Sequence, residues 1–139
     1  MVRILVVDDD RSVAYSIRTL LEYESFDVAI AEDGVSAMRA VEAERYDVII
    51  IDIFMPGMDG LETIEAIRRL RHDLPIIAIS GFTLRDRSVA AAPATDVLAE
   101  AVRLGATCSL HKPFRRRDIL DAVAACLDAA ERRASGEAA

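Results

Sequence analysis

Short apolar runs alternate with longer amphipathic stretches along most of the chain, which is typical of a protein built from βα units. The apolar runs predict five strands, at Val2–Val7, Phe26–Ala31, Val48–Ile51, Ile76–Ser80 and Thr107–His111. Apolar residues at helical spacing predict five helices, from about Ser12 to Glu24, Val35 to Val41, Leu61 to Leu70, Val97 to Leu104 and Ile119 to Ala130. Such repeats predict a parallel sheet with right-handed crossovers and helices on both faces.

Polar residues and glycines mark several of the predicted helix ends. Asp10 and Asp59 are interpreted as helix-entry residues, because a carboxylate there accepts free N–H groups and meets the positive end of the helix dipole. Thr95-Asp96 predicts the N-cap of the fourth helix, and Gly105 its end. The stretch from Gly81 to Ala94 has no clear period, so it is predicted to be a loop.

Composition narrows the class of protein. The 139 residues are 53% hydrophobic and 29% charged, which predicts one packed domain over residues 1–133 and a short polar tail over 134–139. The net charge of −7 argues against direct binding to DNA. The chain shows no membrane-span or signal-peptide pattern, so a cytoplasmic protein is expected. Cys108 and Cys126 share no metal-ligand or redox spacing and are interpreted as reduced thiols.

Polar side chains follow four of the predicted strands, at the point where each strand ends. They are Asp8 and Asp9, then Asp52, Ser80 and Lys112. The carboxyl ends of parallel strands share one edge of a sheet, where α/β proteins bind their ligands. Clustered carboxylates repel one another unless they share a cation, and hard oxygen ligands favour Mg²⁺. The pattern predicts phosphoryl transfer to Asp52 as nucleophile, with Ser80 and Lys112 contacting phosphoryl oxygens.

These motifs resemble the receiver domains of two-component response regulators, the CheY-like family. The family pattern is an acidic pair after the first strand, a phosphoacceptor Asp followed by Met-Pro-x-Met-Asp-Gly, a Ser or Thr after the fourth strand, and Lys-Pro-Phe after the fifth. Here these fall on Asp8-Asp9, on Asp52 with Met55–Gly60, on Ser80 and on Lys112–Phe114. The resemblance implies a flavodoxin-like (βα)5 fold with strand order 2-1-3-4-5.

The resemblance also implies a mechanism and partners. A histidine kinase or histidine phosphotransfer protein would phosphorylate Asp52, and the domain would catalyse only its own phosphorylation and dephosphorylation. Asp9, Asp52 and the Phe54 carbonyl would ligate Mg²⁺, with Asp8 acting through water. The Lys112–Pro113 bond would be cis. The output partner stays open, and the fourth helix, fifth strand and fifth helix form a possible homodimer surface.

Two departures from the family pattern concern the switch. Ser109 stands where the family usually has Tyr or Phe, so the usual aromatic switch is not expected, and Phe82 or Phe54 could substitute for it. Ser80 and Lys112 are 32 positions apart, longer than the family spacing, which predicts a long, mobile loop in residues 81–94. Phe54 cannot orient an attacking water, which predicts slow loss of the phosphoryl group.

Two other classes of protein stay open at this point. A phosphorylation-independent, receiver-like adaptor is suggested by Ser109 and the long loop. A phosphohydrolase of the haloacid-dehalogenase type also uses an Asp nucleophile after a strand. That class is less favoured, because it requires a second Asp two residues later and Phe54 occupies this position.

Overall fold

The computed structural model describes residues 1–55, 60–80 and 94–136. In this part of the chain, five parallel strands form one sheet in the order β2-β1-β3-β4-β5. The strands are β1 (Arg3–Val7), β2 (Asp27–Ala31), β3 (Val48–Asp52), β4 (Ile76–Ser80) and β5 (Cys108–His111). The flavodoxin-like fold and the strand order expected from the sequence are confirmed, and each strand end agrees with the prediction to within one residue.

Helices cover both faces of the sheet. They are α1 (Arg11–Tyr23), α2 (Gly34–Ala43), α3 (Gly60–Leu70), α4 (Ala94–Leu104) and α5 (Arg116–Ala134). One apolar core lies between the sheet and α2, α3 and α4, and a second lies between the sheet and α1 and α5. The central strand β3 contributes to both, since Ile49 and Ile51 belong to the first core and Val48 and Ile50 to the second.

Helix ends follow the predicted chemistry at two positions and differ at a third. The Asp10 carboxylate caps α1 and accepts from the Ser12 N–H at 2.9 Å, and Gly105 follows α4 with a φ of +129°, which favours glycine. The predicted start of the fourth helix at Val97 was wrong. The helix begins at Ala94 and includes Thr95 and Asp96, because alanine has a high helix propensity and can open the helix earlier.

Some predicted features lie outside the described residues. These are the capping role of Asp59, the side chain of Phe82 and the loop predicted over residues 81–94, of which the structure describes only the last position. Within the described ranges, every helix is too short or too polar to cross a bilayer.

Candidate functional site

Three aspartates meet at the carboxyl edge of the sheet. The neighbouring strands β1 and β3 run in register, so Asp8 and Asp9, which follow β1, come close to Asp52 at the end of β3. One carboxylate oxygen from each residue lies within 4.8 Å of the other two. Asp8 and Asp52 are buried, whereas Asp9 is exposed. After β1 the chain crosses to β2 on one side, and after β3 it crosses to β4 on the other, so the site lies at the switch point of the sheet.

Lys112 supplies the positive charge next to these carboxylates. Its Nζ lies 3.3 Å from Asp52 Oδ2 and 3.7 Å from Asp8 Oδ2. The residue follows β5, and its backbone N–H donates to the Ser80 carbonyl at 2.7 Å, which fixes the start of its side chain. Because β4 lies between β5 and β3, only a long side chain can reach Asp52 from this position. Lys112 is also the single lysine of the chain, in which the other 16 basic residues are arginines.

Backbone groups hold the two buried carboxylates in place. The Phe54 N–H donates to Asp52 Oδ1 at 2.9 Å, and the Asp10 N–H donates to Asp8 Oδ1 at 2.9 Å. Gly60, at the start of α3, packs directly against the backbone that leaves β3. A Cβ atom at position 60 would lie 2.6 Å from the Asp52 carbonyl oxygen, so only glycine fits here.

The pKa values of both buried carboxylates are raised, chiefly by burial and in part by neighbouring carboxylates. Burial, with a smaller contribution from nearby Asp52, raises the pKa of Asp8 to about 6, although the Asp10 N–H and Lys112 oppose this. Burial likewise raises the pKa of Asp52 above its ordinary value, against the Phe54 N–H and Lys112. One ammonium group therefore does not compensate three carboxylates.

The donor set fits a hard divalent cation. Three carboxylates converge on one point, two of them buried with raised pKa values, and oxygen ligands of this kind suit Mg²⁺. A bound dication would relieve both the mutual repulsion and the burial of charge. Asp8, Asp9 and Asp52 are the residues that could hold it.

Ser80 is the fourth polar residue at this edge. It ends β4, the strand between Asp52 and Lys112, and it is completely buried. Its hydroxyl oxygen has no hydrogen-bond partner among the described residues. A buried hydroxyl without a partner is costly, so this group is suited to a ligand that supplies an acceptor.

The remaining predicted site residues lie around this centre. Phe54 is 42% exposed, two residues after Asp52. Ser109 lies within β5 and is half-buried. The Lys112–Pro113 peptide bond is cis, the isomer that the resemblance implied. The sequence marked Gly60 only as the last residue of the motif that follows Asp52; its packing beneath Asp52 depends on the approach of α3 to β3, which no local pattern reveals.

The fold and the site define a flavodoxin-like α/β protein with an acidic, lysine-containing pocket at its switch point. A sequence profile of the response regulator receiver domain matches residues 4–124. The chain therefore belongs to the receiver domain family of two-component response regulators.

Individual relatives agree with this membership. The response regulator MprA of Mycobacterium ulcerans is 37% identical over 129 residues, which cover 91% of this chain and 50% of that protein. The chain thus spans about half the length of the curated relatives it matches. A CheY-like receiver domain from Methanospirillum hungatei superposes with a TM-score of 0.81 at 29% identity, over 96% of this chain and 98% of the other. NtrX of Brucella abortus superposes with a TM-score of 0.86 at 25% identity, over 97% of this chain and 29% of the NtrX chain.

Proposed function

We propose that this domain is a phosphorylation switch in which Asp52 accepts a phosphoryl group, in the presence of Mg²⁺, from a histidine kinase or a histidine phosphotransfer protein. The observation that carries the proposal is the placement of the Lys112 ammonium 3.3 Å from Asp52 Oδ2, beside the converging Asp8 and Asp9. Membership of the receiver family supports the same reaction.

In the proposed reaction a carboxylate oxygen of Asp52 attacks the phosphorus atom and forms a new P–O bond. The bond from phosphorus to the donor's imidazole nitrogen breaks, and this nitrogen keeps the electron pair and takes a proton from solvent. Mg²⁺ held by Asp8, Asp9, Asp52 and the Phe54 carbonyl would neutralise charge on the phosphoryl oxygens. Lys112 pairs with one of these oxygens, and the Ser80 hydroxyl donates to another.

The raised pKa of Asp52 bears on this role. The nucleophile must be ionised, and a carboxyl group with a raised pKa is a stronger base than an ordinary Asp. Lys112 and the Phe54 N–H keep the charged form accessible. A bound dication would lower the pKa further and complete the ionisation.

The output is proposed to be a shift between two conformations. Phosphorylation adds roughly −1.5 to −2 charges, by analogy with phosphoserine, and must favour one conformation over the other to have an effect. A homodimer through α4, β5 and α5 stays a proposal; Val102 on α4 is 46% exposed there.

Incubation with phosphoramidate and Mg²⁺, followed by intact mass measurement, tests the proposal. We expect one added phosphoryl group on the wild-type chain and none on Asp52→Asn. Asp10→Asn is the matched control, because it lies beside the acidic pair and asparagine caps a helix as well as aspartate does. It should be phosphorylated like wild type.

Three results would argue against the proposal. Phosphorylation of Asp52→Asn would place the reaction elsewhere in the chain. Binding to a partner that is identical for wild type and Asp52→Asn, together with no phosphorylation of either, would favour the adaptor hypothesis instead. Turnover of a generic phosphate ester would revive the dehalogenase-type hypothesis.

A further inference from the structure

The two cysteines of the chain meet across the second core. Cys108 is the first residue of β5 and is half-buried, and Cys126 lies within α5 and is 1% exposed. Their Sγ atoms are 3.9 Å apart, although the residues are 18 positions apart in sequence. Both thiols are free, as the sequence predicted, but their spacing gave no reason to expect a pair. None of the roles proposed for the phosphoacceptor site uses them.

We propose that Cys108 and Cys126 form a reversible redox site, in which a hydroperoxide oxidises the pair to an intramolecular disulfide that joins β5 to α5. A disulfide needs an S–S distance of about 2.05 Å, so the sulfurs must approach by roughly 2 Å. The proposal requires rotation about the two Cα–Cβ bonds and a small movement of α5 to supply this approach. The inference does not depend on the function proposed for Asp52.

The surroundings assign different roles to the two sulfurs. Cys108 is the accessible one, and the hydrogen bond from Cys126 lowers the pKa of the Cys108 thiol, although burial opposes this. The same hydrogen bond raises the pKa of Cys126, and burial adds to the effect. Because the thiolate is the reactive form, Cys108 is the sulfur that reacts with the peroxide. Cys126 is the sulfur that then attacks the oxidised Cys108 and forms the disulfide.

The oxidation balances with one hydroperoxide. The Cys108 thiolate attacks the terminal peroxide oxygen, the O–O bond breaks, and a sulfenic acid forms while the leaving oxygen takes up a proton. Cys126 Sγ then attacks the Cys108 sulfur, the S–S bond forms, and the S–O bond breaks. The leaving hydroxide takes the Cys126 proton as water. Two thiols lose two electrons in all, the peroxide is reduced, and a dithiol reductant reverses the change.

The disulfide would restrain the strand that carries Lys112. Among the described residues, β5 is an edge strand whose one neighbour is β4, so it has fewer restraints than the central strands. Lys112 comes four positions after Cys108 and directly follows the last residue of this strand. A bond from Cys108 to α5 would therefore fix β5 to the helix that packs on it.

Thiol counting on the whole chain tests the proposal. The reduced protein is treated with hydrogen peroxide, quenched with catalase, unfolded and alkylated with N-ethylmaleimide before intact mass measurement. We expect the mass of the oxidised wild type to be lower by two hydrogen atoms, with neither thiol alkylated by N-ethylmaleimide. Dithiothreitol should restore both thiols. Its melting temperature without reductant should rise by roughly 5–10 °C.

Single serine variants identify the two roles. In Cys126→Ser the Cys108 sulfenic acid should persist and be trapped by dimedone, whereas in Cys108→Ser the buried Cys126 should stay unmodified. Far-UV circular dichroism checks that both variants fold. Disulfide formation in the wild type is measured without either variant, so the test stands even if a variant does not fold. Two thiols still reactive after peroxide, Cys108 oxidised to sulfinic acid without an S–S bond, or a disulfide between two chains would each overturn the proposal.

Discussion

The chemistry of Asp52 is set by the few groups that compensate its burial. Burial raises the pKa of its carboxyl group, while the Phe54 N–H and Lys112 favour the charged form. Arginine supplies every other basic position in the chain, yet Lys112 is the residue that reaches this site. A compact ammonium group fits among three carboxylates, whereas the planar fork of arginine needs one carboxylate edge to itself.

Phe54 should control how long Asp52 stays phosphorylated. Its side chain is 42% exposed beside the site and offers no atom that could orient an attacking water. We expect Phe54→Asn to shorten the lifetime of the acyl phosphate by roughly tenfold, or about 1.4 kcal/mol in activation free energy. The measurement is loss of the phosphoryl group with time after removal of phosphoramidate.

Phe54→Leu is the matched control for this prediction, because it keeps an apolar side chain of smaller size. Its lifetime should stay near that of the wild type. Equal lifetimes for Phe54→Asn and wild type would show that another group limits access of water.

At the level of elements, the sequence predicted what local patterns determine. The β-branched run Val48–Ile51 predicted a strand and the βα repeats predicted helices on both faces of the sheet, and β3 does contribute to both cores. The start of α4 was missed, because Thr95 and Asp96 are equally suited to a cap and to a first helical turn. The contact between Cys108 and Cys126 depends on how α5 packs on β5, and no local pattern contains it.

Arg68 is another contact that only the tertiary structure reveals. Its guanidinium group donates to the Gly105 carbonyl through Nε at 3.1 Å and Nη2 at 2.6 Å. Nη1 donates to the carbonyls of Arg71 and His72 at 3.1 and 2.6 Å. Arg68 therefore satisfies carbonyl groups that follow both α3 and α4, where helices leave acceptors free.

We expect Arg68→Ala to lower the free energy of unfolding by about 2–3 kcal/mol, since several partly buried carbonyls lose their donor. Arg69→Ala is the matched control. The neighbouring Arg69 side chain is exposed and pairs with Glu65 at 3.8 Å, so its removal should change stability by less than about 0.5 kcal/mol. Urea unfolding measures both, and equal effects would contradict the role given to Arg68.

At the scale of the whole molecule, the strand order decides where the polar residues gather. The order 2-1-3-4-5 makes β1 and β3 neighbours and leaves β4 between β3 and β5. The acids therefore come together directly, and Lys112 reaches Asp52 across one strand and Asp8 across two. The sequence could predict this cluster because each group directly follows a strand, and parallel strands end at the same edge.

This cluster should make stability depend on pH and on Mg²⁺ together. The pKa of Asp8 is about 6 in the folded protein and 3.8 ordinarily. As pH rises from about 4 to 6 the unfolded chain therefore ionises first and the folded state keeps its proton. The free energy of unfolding of the metal-free protein should fall across this window by an amount on the order of 2–3 kcal/mol from Asp8, and this loss is complete above about pH 6.

Mg²⁺ should reverse this loss, because it binds the ionised carboxylates of the folded state only. Thermal unfolding with millimolar MgCl₂, against NaCl of equal ionic strength, should show a larger stabilisation at pH 7.5 than at pH 5. Asp8→Asn keeps an acceptor for the Asp10 N–H but removes the titrating group. Relative to wild type it should therefore be more stable above pH 6 without metal and gain less from Mg²⁺. An equal gain from Mg²⁺ at both pH values would mean that these carboxylates do not bind the ion.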